Sequence, residues 1–208
     1  MDSSQKPRRD RRRRSLLALL MAGTALIAAT GATMSLALFT SQVAVAGNAF
    51  TTGTIVLGVS PASAIFTSTS MMPGDVVPVG VPGQGVLVSN TGTGQLRYSI
   101  TGTSTDVDLK HLNTVLIVTV RQPDGNAGAS CALFTGLPLF SAVVPTAGVN
   151  MVGNPTQGID AGDRVLLAGA SETLCFKASL PIGTLNPFQG AASTFTFTFN
   201  AEQTLNNP

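Results

Sequence analysis

Beyond residue 40 the apolar positions recur with a period of two. Thr194 to Asn200 alternates threonine with Phe195, Phe197 and Phe199, which sets three aromatic rings on one face of a strand and hydroxyls on the other. Similar alternation runs through Ile55, Leu57 and Val59, through Leu96, Tyr98 and Ile100, and through Leu174, Phe176, Ala178 and Leu180. Val115 to Val120, with Thr119 its one polar residue, is apolar enough for a strand covered on both faces. Between these runs lie Pro73-Gly74-Asp75, Asn90-Thr91-Gly92-Thr93-Gly94, Pro123-Asp124-Gly125-Asn126 and Gly153-Asn154-Pro155, whose residues favour chain reversal. The spacing predicts about seven to nine strands in a two-sheet sandwich or jelly roll. One helical turn is predicted near Asp106 to Leu112. A faint echo relates Pro73-Gly74-Asp75-Val76-Val77 to Ala161-Gly162-Asp163-Arg164-Val165, each read as the entry to a strand in a different sheet. Gly83-Gln84-Gly85 and Thr91-Gly92-Thr93-Gly94 lack the helix and lysine of a phosphate cradle and are read as hairpin turns.

The first 40 residues obey a different pattern. A basic run, Arg8 to Arg14, precedes an apolar stretch from Ser15 to Phe39 that contains no charge, the layout of an export signal. At 1.5 Å per residue this stretch can also span a hydrocarbon core of about 30 Å, so signal and anchor are both physically open. The basic block holds the N-terminus in the cytoplasm and sends the remainder across. Two small-x-small sites allow cleavage: after Ala37, before Leu38, and after Ala46, before Gly47. Arg13-Arg14-Ser15-Leu16-Leu17 fits a twin-arginine signal only loosely, because a block of arginines produces such a match easily.

Charge and composition narrow the chemistry. The 208 residues carry a net +2, but seven of the twelve basic residues precede Ser15; the chain from Ser15 onward has five basic and eight acidic residues, a net of −3. So few cations, with one Tyr and no Trp, do not suit a nucleic-acid surface. His111 is the sole histidine and sits just before an apolar strand, where a surface or turn role is the ordinary one. A hydrolytic zinc site would have to be completed from carboxylates alone, an unusual set. Asp106 with Asp108, and Asp160 with Asp163, could offer oxygens to Ca²⁺, but aspartates at turns ordinarily accept backbone N–H groups. The reading is therefore of a non-enzyme without cofactor or metal. Cys131 and Cys175 both lie in apolar surroundings; in an oxidising compartment they point to a disulfide, with two buried free thiols as the alternative.

Four elements occur in order. They are Leu38-Phe39-Thr40 with Asn48 to Leu57; Met72-Pro73-Gly74-Asp75; Val88-Ser89-Asn90-Thr91-Gly92 leading to Arg97-Tyr98; and Leu180-Pro181 with Asn186 to Gly190 and Phe195 to Gln203. Together they resemble the TasA/camelysin family of exported proteins, whose signals are removed by a dedicated signal peptidase. The resemblance implies a jelly-roll domain over residues 51–208, a signal over 1–37 (basic to 14, apolar from 15) and a donor segment over 38–50. It also implies a structural role in the extracellular matrix or at the cell surface. There biofilm-type filaments form when the freed N-terminal segment of one subunit completes a sheet of the next. The implied partners are further copies of the chain, the signal peptidase and other matrix proteins, with no nucleic acid. Membrane contact is implied only through the signal, and the protein stays anchored if the signal is not cut.

The donor segment suits that role. Phe39, Val43 and Val45 fall on one face of an extended segment and Thr40, Gln42, Ala44 and Ala46 on the other, with Ser41 interrupting the apolar side. Burying the three apolar side chains would contribute on the order of 4 to 8 kcal/mol before ordering costs. Cleavage after Ala37 keeps this segment and cleavage after Ala46 deletes it; the plain alternative is that residues 38–46 are the tail of the signal. Two other function classes arise from the family and the fold. One is a secreted metallopeptidase, as camelysin-like members have been described, and the other is a monomeric adhesin or binding module.

Overall fold

The computed structural model describes residues 52–125, 130–205 and 207. Ten strands are formed among them: β1 (Leu57–Ser60), β2 (Val76–Val77), β3 (Gln84–Asn90), β4 (Leu96–Ser104), β5 (Ile117–Arg121), β6 (Pro138–Val143), β7 (Val149–Val152), β8 (Arg164–Leu166), β9 (Ser171–Ser179) and β10 (Phe195–Gln203). They build two sheets, all pairs antiparallel. The larger runs β1-β3-β9-β5-β6 with β2 beside β9, and the smaller runs β10-β4-β7 with β8 beside β4. The protein is thus all-β, a two-sheet sandwich. The count exceeds the sequence-based expectation because short strands such as β2 and β8 carry too few residues to show a period.

The alternating residues meet between the sheets. Val86, Val88, Val118, Val120, Leu174 and Phe176 of the larger sheet face Leu96, Tyr98, Ile100, Met151 and Leu166 of the smaller, all at or below 5% exposure. β9 lies between β3 and β5, so Leu174, Cys175 and Phe176 are inaccessible on both faces. Val118, Thr119 and Val120 of β5 are likewise buried on both sides, as the apolar run from Val115 predicts.

Three local expectations change. The helical turn is a 3₁₀ turn at Leu112–Thr114, later than Asp106 to Leu112, because Leu109 and His111 adopt left-handed φ of 56° and 59° and break any right-handed run before it. Gly83-Gln84-Gly85 is not a hairpin turn but leads into β3. Thr91 to Gly94 is not a hairpin either: it is the corner at which the chain passes from the larger sheet to the smaller. That corner is held by Thr91 and Thr93 N–H donating to the carbonyls of Val56 and Thr54. A Cβ on Gly92 would sit 2.3 Å from the Thr54 oxygen, so only glycine fits there. The two echo segments do lead into β2 and β8, which lie in different sheets.

Each sheet also carries a loop folded onto its outer face. On the larger sheet the β5–β6 connection is tied down by the Cys131–Cys175 disulfide, which resolves the choice left by the sequence. The Asp124 carboxylate in the same loop accepts the N–H groups of Leu133 (2.7 Å) and Thr135 (2.6 Å). Phe134 packs on both cysteines and lies under the cations of Lys177 and Arg121, 4.4 and 5.4 Å from its ring centre. On the smaller sheet, residues 153–163 between β7 and β8 cross the outer face of β4.

Candidate functional site

β10 pairs with β4 over all nine of its residues, from Phe195 opposite Ser104 to Gln203 opposite Leu96. Among the described residues its other edge has no strand beside it. Phe195, Phe197 and Phe199 point inward, as their alternation predicts, yet all three are only half-buried: Phe66 meets Phe197 edge-on at 6.3 Å, but no strand among the described residues lies beside β10 to cover them. Phe197 still reaches the core, 5.4 Å from the Phe176 ring. The remaining edges are shorter or guarded. β1 has four residues; β6 has six and opens with Pro138; β7 and β8 have four and three. Natural sheets guard long edges with prolines, charges or bulges, and β10 has no proline and only Glu202, near its end, as a charge.

A cleft of about 460 Å³ lies on the outer face of the same sheet, between β4, β10 and the 153–163 strap. Its floor holds Arg97 and Ser99, whose side chains leave β4 away from the core and are buried by the strap at 4% and 1% exposure. Arg97 donates to the Glu202 carboxylate across the β4–β10 pair and to the Asn207 carbonyl. Glu202 also accepts the N–H of Gly158 at 3.1 Å and the side-chain amide of Asn207 at 2.8 Å, while Gln157 donates to Asn207 Oδ1 at 3.0 Å. Burial pushes the Glu202 carboxyl up, but the hydrogen bonds from Arg97, Asn207 and Gly158 outweigh it and hold it below its ordinary value. The strap keeps its shape through Asp163, whose carboxylate accepts the N–H groups of Asn154 (2.9 Å) and Asp160 (3.3 Å). Asp160 in turn accepts from the Thr156 hydroxyl. The pair read from the sequence as possible calcium donors is therefore engaged with its own loop.

His111 lies elsewhere, on a hollow of about 360 Å³ with Asp106, Asn113 and Thr114. Asp106 accepts the His111 backbone N–H at 2.8 Å and pairs with Nδ1, so the ring is oriented. The Thr114 hydroxyl donates to the His111 carbonyl at 2.7 Å. Asp108 accepts the N–H groups of Ala192 and Lys110, and these bonds lower its pKa. Among the described residues no three His, Cys, Asp or Glu side chains gather around one point. The signal cleavage pair Ala37 and Leu38, and the donor residues Phe39, Val43 and Val45, lie outside the described residues.

Acid stability is set by the depressed carboxyls. Asp108, Asp124 and Glu202 all titrate below their ordinary values of 3.8, 3.8 and 4.5; for Asp124 the main cause is the Leu133 N–H. A carboxyl with a lowered folded pKa adds stability that is complete above the unfolded pKa and disappears as pH falls through the folded one. The melting temperature is expected to hold steady above about pH 5 and to fall increasingly below about pH 4. Asp124→Asn should flatten part of that fall, and an acid limb identical to that of the native chain would show that the Asp124 contacts do not persist in solution.

No protein-family model matches the chain, and no curated protein matches it in sequence.

Proposed function

We propose that the protein is an exported structural subunit of surface or matrix filaments. In each junction, residues 38–46 of one copy add as a strand to the β10 edge of the next. The observation that carries this reading is the nine-residue β10 edge with its three half-buried phenylalanines. Phe39, Val43 and Val45 of an added strand would cover the exposed flanks of Phe195, Phe197 and Phe199, while its backbone would satisfy the outer N–H and C=O groups of β10. The export layout of the first 37 residues, the disulfide and the family resemblance support the extracellular setting. On this reading the sandwich is a jelly-roll variant, the protein performs no catalysis, and a signal peptidase that cuts after Ala37 is what makes the subunit competent to assemble.

The test compares chains beginning at Leu38 and at Gly47 by electron microscopy over a concentration series without reductant. Filaments with a regular subunit repeat are expected from the longer chain only, and Val43→Asp in that chain should abolish them without lowering the melting temperature. The same filaments from both chains would remove residues 38–46 from the mechanism. Monodisperse particles from both would remove the filament reading itself. Thr194 to Phe199 is uncharged and rich in β-formers, so a featureless cross-β aggregate counts against the reading.

A further inference from the structure

We propose that the cleft between β4, β10 and the 153–163 strap binds a neutral, hydroxyl-rich ligand of monosaccharide size. Its volume of about 460 Å³ lies within the range of small-molecule sites. The floor supplies the leading observation. The Ser99 hydroxyl is buried and has no hydrogen-bond partner, although it borders an open cleft. A buried hydroxyl is ordinarily paired, so whatever occupies the cleft is called on to meet it. Water is the smallest such occupant, and a ligand hydroxyl that replaces it keeps the bond.

Charge restricts the ligand class. Arg97 is neutralised by Glu202, and the Asp163 carboxylate is taken up by strap N–H groups. No unpaired cation is left to hold a phosphate or a carboxylate, and the one carboxylate beyond the ion pair, Asp163, is spent on the N–H groups of its own loop. The surroundings of Ser99 are otherwise neutral and two-sided. The amide of Asn200 stands directly opposite Ser99 on β10, and the amides of Asn154 and Gln157 hang from the strap. Asn154 uses its Oδ1 to fix the strap and Gln157 its Nε2 to hold Asn207; among the described residues the Asn154 Nδ2 and Gln157 Oε1 have no partner. Donors and acceptors spaced in this way match neighbouring hydroxyls of a pyranose, each of which both donates and accepts. The cleft has no aromatic stacking face, since the Tyr98 ring belongs to the core, so binding is weak, with a dissociation constant of about 1 to 10 mM.

Sugar binding is independent of filament formation and is tested apart from it. Isothermal titration and saturation-transfer NMR would use the methyl α-pyranosides of glucose, galactose and mannose, with glucuronate and inorganic phosphate as charged controls. At least one neutral sugar should saturate in the range above, and neither anion should. Ser99→Ala and Asn200→Ala should each weaken binding about three- to tenfold. Ser99→Ala should at the same time leave the melting temperature unchanged or raise it, because it removes an unpaired buried group; a Ser99 that serves only the fold would instead lower it. Three results would overturn the proposal: no saturation by any neutral sugar up to about 100 mM, binding that both variants leave intact, or tighter binding of either anion. Whether the protein forms filaments affects none of these readouts.

Discussion

Loss of the Cys131–Cys175 bridge is expected to lower the free energy of unfolding by about 4 kcal/mol. The cysteines are 44 residues apart, and closing a loop of that length removes a large share of the freedom of the unfolded chain. The native side adds to the effect. Cys175 is inaccessible within β9, the strand that bonds to β2, β3 and β5, and Cys131 brings the β5–β6 loop down onto it. Phe134 packs on the two cysteines beneath the Lys177 and Arg121 cations, so freeing the loop also uncovers that ring. Urea denaturation of the native chain with and without reductant, beside a Cys131→Ala/Cys175→Ala double variant, checks this. Both perturbed forms should unfold at a clearly lower midpoint and agree with each other. A shift under about 1 kcal/mol would mean that Asp124 and the Arg121 contact to the Gly136 carbonyl hold the loop without the bridge.

Glu172→Ala is expected to cost about 3 kcal/mol. Glu172 lies on β9 in the larger sheet, and its two partners lie on the smaller one: the Tyr98 hydroxyl donates to it at 2.8 Å, and Arg164 grips both of its oxygens, with Nε at 2.8 and 2.9 Å. This cluster is a polar link between the two sheets, as is the Asn90 amide of β3, which donates to the Leu166 carbonyl of β8 at 3.1 Å. Burial first, and then the Glu172 charge, push the Tyr98 phenol far above its ordinary value, so it stays a donor at every pH the protein meets. Removing the carboxylate leaves Tyr98 and Arg164 inside without an acceptor. The Arg164 and Glu172 side chains keep about a fifth of their surface, 21% and 19%, and solvent screening there places the cost at the lower end of the buried range. Glu172→Gln, which can still accept from Tyr98, should cost about half as much. Equal costs for the two variants would show that the loss lies in the charge facing Arg164, and a cost near zero for Glu172→Gln would show that Arg164 contributes nothing through its charge.

The sequence made legible what depends on neighbours in the chain. Alternation at Phe195, Phe197 and Phe199 placed those rings inward, and the apolar run at Val115 to Val120 marked a strand covered on both faces, because side-chain direction in a strand is set by parity alone. Parity does not say which strand comes next in a sheet. That β10 is an edge depends on pairings with residues about a hundred positions earlier, and no local pattern carries that information. Arg97 shows the same limit more sharply. By parity it belongs to the solvent side of β4, and the rule holds, but a strap from residues 153–163 covers that side and Glu202 meets it from 105 residues away. The only local hint was the Gly153-Asn154-Pro155 cluster, which marks a reversal without saying where the loop will lie. His111 lies at the surface beside a turn, as expected, whereas its left-handed backbone was not foreseen, since histidine is enriched in that region too weakly for one residue to predict it.

The disulfide has a mechanical consequence as well. Under a pull on the two ends of the sandwich, the chain between Cys131 and Cys175 cannot be drawn out while the bridge is intact. The bridge withholds 44 residues, about 150 Å of contour at 3.4 Å per residue, from extension. Any load passes instead through two sulfur atoms into β9, the central strand of the larger sheet, and strands β6 to β8 are bypassed.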